Sequence, residues 1–176
     1  WSRDFCKMFD KVLAYEPMAF NLECLEKNVK AKNYIVKKYA LGNETKTQDI
    51  MYTLNNNCGS PSFHEYNLRN DKDILKTKVQ IKKLDDELDN ISEPHKSNCY
   101  MKLDVQGHEK NVLQGGEKFI KKYRPIITIE ISQHFKRHKW GGRFNKFGYM
   151  LLFSYKKEFT YVCRDRFQKS NLRDNK

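Results

Sequence analysis

Long apolar runs are missing from this chain: nowhere in its 176 residues do apolar side chains approach the ~20 in a row needed to span a bilayer. A membrane-spanning helix is thereby excluded from this stretch of sequence. No secretory signal pattern stands at its start, so a cytoplasmic setting is the expectation, with the pattern at Trp1 already inside a helix. Cysteines are few and scattered. Cys6, Cys24, Cys58, Cys99 and Cys163 stand singly, with no C-x-x-C pair and no metal-ligand spacing, which excludes a zinc module and fits reduced thiols in a reducing compartment. His134 and His138 lie four apart, but no third ligand has matching spacing, so no metal site is expected. Nucleic-acid signatures are absent too: no zinc finger, no RNP-type aromatic strand, no heptads. Neither an internal repeat nor an interdomain linker is visible, which leaves one domain over residues 1–165 and a basic tail over 166–176.

What is present is positive charge and a sizeable apolar content. The net charge is +12, concentrated in Lys118 to Arg124, Lys136 to Arg143 and the tail from Arg164. Such a surface attracts polyanions, and equally well describes lysine-rich solvated helix faces. With 39% hydrophobic and 13% aromatic residues, the chain has enough apolar material for a core and is no disordered tail.

The periodicity alternates between helix and strand. Phe5 and Phe9 are one turn apart in the back half of a helix over Trp1 to Asp10, and Lys11 to Glu16 is a strand ending in a carboxylate. Pro17 suits a first helical turn, followed by an apolar stripe of Met18, Leu22, Leu25 and Val29. Tyr34 to Leu41 reads as one strand closed by Gly42-Asn43. Asp49 to Leu54 is a short strand candidate, and a polar loop runs from Asn55 to Ser62. Val79 and Ile81 mark a strand, and Leu84 to Ile91 a short acidic helix. Residues 132–147 suggest a helix broken at Gly141-Gly142; Gly148 to Phe153 and Phe159 to Cys163 form a closing antiparallel hairpin.

The most informative block is "KLDVQGHEKNVLQGGEKFIKKYRPIITIEI", residues 102 to 131. Lys102 to Val105 ends a strand; Val112, Leu113, Gly116, Phe119, Ile120 and Tyr123 then line one face of a single helix. Pro125 stops that helix, and Ile126 to Ile131 is a second, β-branched strand. Strand–helix–strand units build parallel sheets, whose ligands sit at the carboxyl ends of the strands. Asp104 and Glu130 stand at those ends. An unpaired buried carboxylate costs several kcal/mol, so Asp104 needs a ligand or a structural partner, either a bound group or the start of the next helix. Glu130 either lines the same crevice or pairs with Arg143. Gly107 lets the backbone approach a ligand or turn sharply, and Glu109 sits in the first helical turn, where the helix dipole favours its charge.

Six blocks in order resemble the FkbM-type family of S-adenosylmethionine-dependent methyltransferases: "VLAYEP" (12–17), "YALGN" (39–43), "NNCGSPSF" (56–63), "VQIKKLDDEL" (79–88), the block from 102 to 131, and "FGYMLLF" (147–153). The resemblance implies an α/β, Rossmann-like class I methyltransferase sheet with helices on both faces and a C-terminal antiparallel hairpin. It also implies a first strand and glycine-rich turn ahead of Trp1, which the chain lacks. Gly115-Gly116 and Gly141-Gly142 cannot replace them. Without that strand, the strands Val12–Tyr15 and Met101–Val105 are expected to keep unpaired edges, and the chain as it stands is expected to be inactive.

The implied function is O-methylation of a hydroxyl on a sugar, glycolipid or related small acceptor, with S-adenosylmethionine as cofactor. A nucleic-acid acceptor and a non-catalytic remnant are the alternatives. Cofactor binding falls to Glu16, Pro17, Ala40, Leu41 and Asp104, with Glu16 either accepting from the ribose hydroxyls or capping the next helix. Asp104 and His108 are the candidate catalytic bases, while Gln106, Gly107, Glu109 and Glu130 shape the acceptor side.

Overall fold

The computed structural model describes residues 1–53, 61–64, 73–91, 99–131 and 137–166. The polar loop before Pro61, His134 and the tail beyond Arg166 lie outside that set. Two compact units divide the chain, Trp1–Lys83 and Leu84–Lys176.

In the first unit, α1 (Ser2–Met8) leads into β1 (Val12–Tyr15), α2 (Ala19–Asn28) and β2 (Tyr34–Lys37), with β1 and β2 parallel. The segment from Tyr34 to Leu41 is not one strand. Tyr34–Lys37 pairs with β1, the backbone bends at Lys38 and Tyr39, and Ala40–Leu41 forms β3 beside a different partner. Tyr39 is buried at that bend, its ring 5.8 Å from that of Tyr15 and beneath the Lys82 ammonium at 4.5 Å. Burying an aromatic ring there outweighs continuing the ladder. β4 (Lys46–Thr53) and β5 (Ile74–Lys82) are antiparallel, and β3 adds parallel to β5. Met18, Ile50 and Val79 form the buried cluster of this unit, with Phe20, Tyr52 and Phe63 packed on it. α2 begins at Ala19, so Pro17 precedes the helix and does not occupy its first turn.

The second unit is a four-stranded sheet in the order β6 (Tyr100–Leu103), β7 (Ile126–Glu130), β9 (Glu158–Cys163), β8 (Tyr149–Tyr155). β6 and β7 run parallel, and β8 and β9 form the expected antiparallel hairpin. Among the described residues, β1 has a ladder only with β2, and β6 only with β7. Ile127 and Ile129 are fully enclosed, the pattern of a central strand.

Three sequence expectations change here. The helix from Glu109 is two helices, α3 (Glu109–Gly115) and α4 (Glu117–Tyr123), separated at Gly116. A side chain at Gly116 would come within 3.1 Å of Leu84 Cδ2, so glycine permits close approach and the chain kinks there. The new helix start is capped from a distance: Asp85 accepts from the backbone N–H groups of Lys118 (3.0 Å) and Phe119 (2.9 Å). Asp85 belongs to a 3-10 helix over Leu84–Asn90, where an acidic helix was expected. α5 (Arg137–Lys146) runs unbroken through Gly141-Gly142. Its buried Trp140 and Phe144, the latter stacked on Tyr161 at 3.8 Å, hold it in place against the entropy cost of two glycines. Among the described residues no helix is long and apolar enough to cross a membrane. Cys6, Cys24, Cys99 and Cys163 are free thiols, and burial pushes Cys99 up to about 11.

Candidate functional site

The expected site residues fall into one group in each unit. In the first unit, β1 delivers Glu16, whose backbone N–H still bonds Lys37 O at 3.0 Å. The carboxylate turns forward: Oε1 accepts from the backbone N–H of Met18 at 2.8 Å, and the Asn21 side chain bonds it as well. Met18, at the cap position of α2, has no side-chain oxygen to do this work. Burial raises the Glu16 pKa above the ordinary glutamate value, opposed by those two hydrogen bonds. Glu16 thus performs the capping role. A carboxylate has about four lone-pair sites, so two bonds leave acceptor capacity for a diol, and the donor set fits an adenosyl ribose. Pro17 is half-buried beside it. Ala40 is buried and Leu41 half-buried on β3, opposite Ile81 and Lys82 of β5.

In the second unit, the chain leaves β6 through a tight turn. Gln106 has φ +50° and Gly107 φ +95°, so two consecutive residues adopt left-handed backbone. For Gln106 that conformation is uncommon and strained. Holding the turn is Glu109, buried, whose Oε1 accepts from the backbone N–H groups of Gly107 (3.0 Å) and Val105 (3.4 Å). Burial raises its pKa, the nearby Asp104 charge adds to that, and the backbone bonds oppose it. His108 is buried at the cap position of α3, with its backbone N–H on Val105 O. The ring therefore belongs to the interior side of the turn.

Asp104 is exposed, and it does not cap α3. Its Oδ1 accepts from Gln106 Nε2 at 2.8 Å. The β6–β7 register (Lys102 opposite Thr128, Leu103 opposite Ile129) brings Asp104 level with Glu130 at the ends of adjacent parallel strands. Burial raises the Glu130 pKa, the neighbouring Asp104 raises it further, and Lys102 and Lys157 pull it back. Glu130 thus meets Asp104 and lysines, where Arg143 had been the candidate partner. Arg143 lies over the Trp140 ring at 5.4 Å.

Two residues escaped the sequence reading. Lys102 sat inside what looked like an apolar strand, yet its Nζ lies 2.5 Å from Glu158 Oε1, across the sheet. Tyr39 looked like ordinary strand filling, yet it packs on Tyr15 immediately before Glu16. For Lys102 a signal existed: it precedes Asp104 by two, so both side chains share one face of the strand.

Comparison with known proteins completes the picture. A solved structure titled methyltransferase FkbM, from Methylobacillus flagellatus KT, superposes with a TM-score of 0.54 at 15% identity, covering 88% of this chain and 36% of that one. The present chain therefore spans about a third of that protein's length, and at such identity the likeness is one of fold. No curated protein matches the sequence. The model of the methyltransferase FkbM domain matches residues 2–163, nearly the whole chain, and the chain belongs to the FkbM methyltransferase family.

Proposed function

We propose that the protein transfers a methyl group from S-adenosylmethionine to a hydroxyl oxygen of a sugar, glycolipid or related small acceptor. Family membership supports methyl transfer, and one observation carries the acceptor chemistry: Asp104 and Glu130 stand level at the ends of adjacent parallel strands, with Asp104 open to solvent. When bound, the cofactor supplies a methyl group activated by its sulfonium. The protein's task is orientation, which can contribute ~7–11 kcal/mol, and proton removal, which adds about 10²–10⁴-fold. Glu16 holds the ribose hydroxyls, and Pro17, Ala40 and Leu41 complete the cofactor-binding set. Asp104 takes the hydroxyl proton, preferred over the enclosed His108. Gln106 and Gly107 form the rim of the acceptor side. Glu109 keeps that rim in its left-handed conformation.

The net charge of +12 is the observation in favour of a nucleic-acid acceptor instead. Incubation with methyl-labelled S-adenosylmethionine, a panel of glycans and small hydroxyl compounds, and RNA and DNA separates the two. Label in a carbohydrate ether is expected. Label confined to nucleic acid assigns the second class, and label in neither overturns both.

A further inference from the structure

The β8–β9 hairpin leaves several large apolar side chains of one short stretch in water. Leu151, Leu152, Phe153 and Tyr155 are 47%, 49%, 61% and 59% exposed, although such a run would ordinarily mark a buried strand. Among the described residues β8 is the outer strand of its sheet, and both of its faces are open from Leu151 to Tyr155. Its backbone makes a poor template for another strand. Leu151 pairs with Tyr161 and Phe153 with Thr160, so Leu152 is an extra, bulged residue, and a bulge bends an edge away from further pairing. A second copy is therefore ill suited to this edge, and two chains of net charge +12 repel each other. The side chains still need a cover.

Charge indicates which cover. Tyr155 pairs with Glu158, which leaves Lys156 and Lys157 as a two-residue turn, both exposed. Lys156 has φ +53°, a conformation that such turns usually give to glycine, asparagine or aspartate. The tip thus carries a cation at a position where backbone preference favours other residues. That ammonium lies over the Tyr155 ring at 5.2 Å, so the basic and aromatic parts of the tip are one surface. Exposed leucine, phenylalanine and tyrosine beside lysines suit the headgroup layer of an anionic bilayer. Rings and alkyl groups enter the acyl boundary there, and ammonium groups meet phosphate.

Position ties this tip to the candidate acceptor side. β9 runs antiparallel to β7, so β9 begins where β7 ends. Asp104 is level with Glu130, Glu130 stands opposite Glu158, and Glu158 stands opposite Tyr155. Tyr155 is therefore three strand spacings from Asp104, about 14 Å. Lys157 fixes the junction, its carbonyl accepting from the Ile131 N–H at 2.8 Å. We propose that Leu152, Phe153, Tyr155, Lys156 and Lys157 dock the protein on an anionic lipid surface, and that the methyl acceptor is a lipid-borne hydroxyl, a glycolipid head group, offered at the carboxyl end of this sheet. The acceptor half rests on the methyl transfer proposed above; the docking half does not.

The test is flotation of the whole chain with phosphatidylcholine vesicles, plain or carrying about a third phosphatidylserine, at about 0.1 M salt. Binding to the phosphatidylserine vesicles alone is expected. Lys156→Gly/Lys157→Gln suits the turn and removes both cations, so it should weaken that binding about 30-fold. Leu152→Ser/Phe153→Ser should weaken it about tenfold or more. Lys118→Gln/Lys121→Gln removes the same charge from exposed positions on α4 and should weaken it less than about threefold. An equal loss in that control, or no loss in the hairpin variants, overturns the docking surface. Phe153→Trp keeps the apolar bulk and should be quenched by brominated lipid beyond wild type; no added quenching overturns the docking surface even if a serine variant misfolds. A wild-type dimer that Phe153→Ser dissociates, without vesicle binding, assigns the edge to a second copy instead. If vesicles bind as expected while no labelled methyl group reaches any hydroxyl, the methyl transfer fails and the docking stands. Label in soluble sugars but not in a glycolipid held in the vesicles overturns the acceptor half alone.

Discussion

Glu16 follows β1 in the first unit and Asp104 follows β6 in the second, and the helices after them start by different means. At α2 the strand-end carboxylate itself accepts from Met18 N–H. Before α3 a different acid is engaged: Glu109, five residues after Asp104, bonds back to the N–H groups of Gly107 and Val105 in the turn. Asp104 is thereby released to face solvent and Glu130. A strand-end acid is thus free to face solvent when another side chain satisfies the N–H groups between its strand and the next helix. One acid is tied to the backbone; the other is exposed.

The sharpest break of that contrast is Asp104→Asn. Asparagine keeps an oxygen for Gln106 but cannot take a proton, so methyl transfer should fall by about 10²–10⁴-fold. Unfolding by urea should be little changed. A variant with near-normal turnover would remove Asp104 from the chemistry.

Glu16→Ala should weaken S-adenosylhomocysteine binding by on the order of 2–3 kcal/mol, through loss of charge-assisted hydrogen bonds. Because the same carboxylate caps α2, it should also lower stability by ~1 kcal/mol. Calorimetry and urea denaturation measure the two effects separately, and an intact affinity would leave Glu16 with the cap alone.

Glu109→Ala strands the N–H groups of Gly107 and Val105 and should cost about 1–3 kcal/mol of stability. Its smallest counterpart is Glu109→Gln, whose amide oxygen can still accept those bonds. The folded-state pKa of Glu109 is raised, so its contribution is fully present below the unfolded value of about 4.3 and lost as pH rises through the folded value. The Gln variant should therefore gain on wild type as pH rises from 4 to 7. Paired urea curves at the two pH values check the sign, and a gain at the acid end would refute it.

Much of this protein was legible before folding. The strands at Val12, Val79 and Ile126, the closing hairpin, and the acids at the ends of β1, β6 and β7 all follow from apolar period and β-branching, which are local properties of a few neighbouring residues. What only tertiary structure decided is the identity of each polar partner. The bend at Lys38-Tyr39 answers to a ring pocket made with Tyr15, and the kink at Gly116 to the nearness of Leu84. The continuity of α5 through two glycines answers to the burial of Trp140 and Phe144. Asp85 caps a helix more than thirty residues away, and Lys102 finds Glu158 across 56 residues of sequence. Local period tells which face of an element is apolar, because burial rewards any residue of that kind. A hydrogen bond or ion pair needs one particular atom within about 3 Å, and that atom is supplied by the fold.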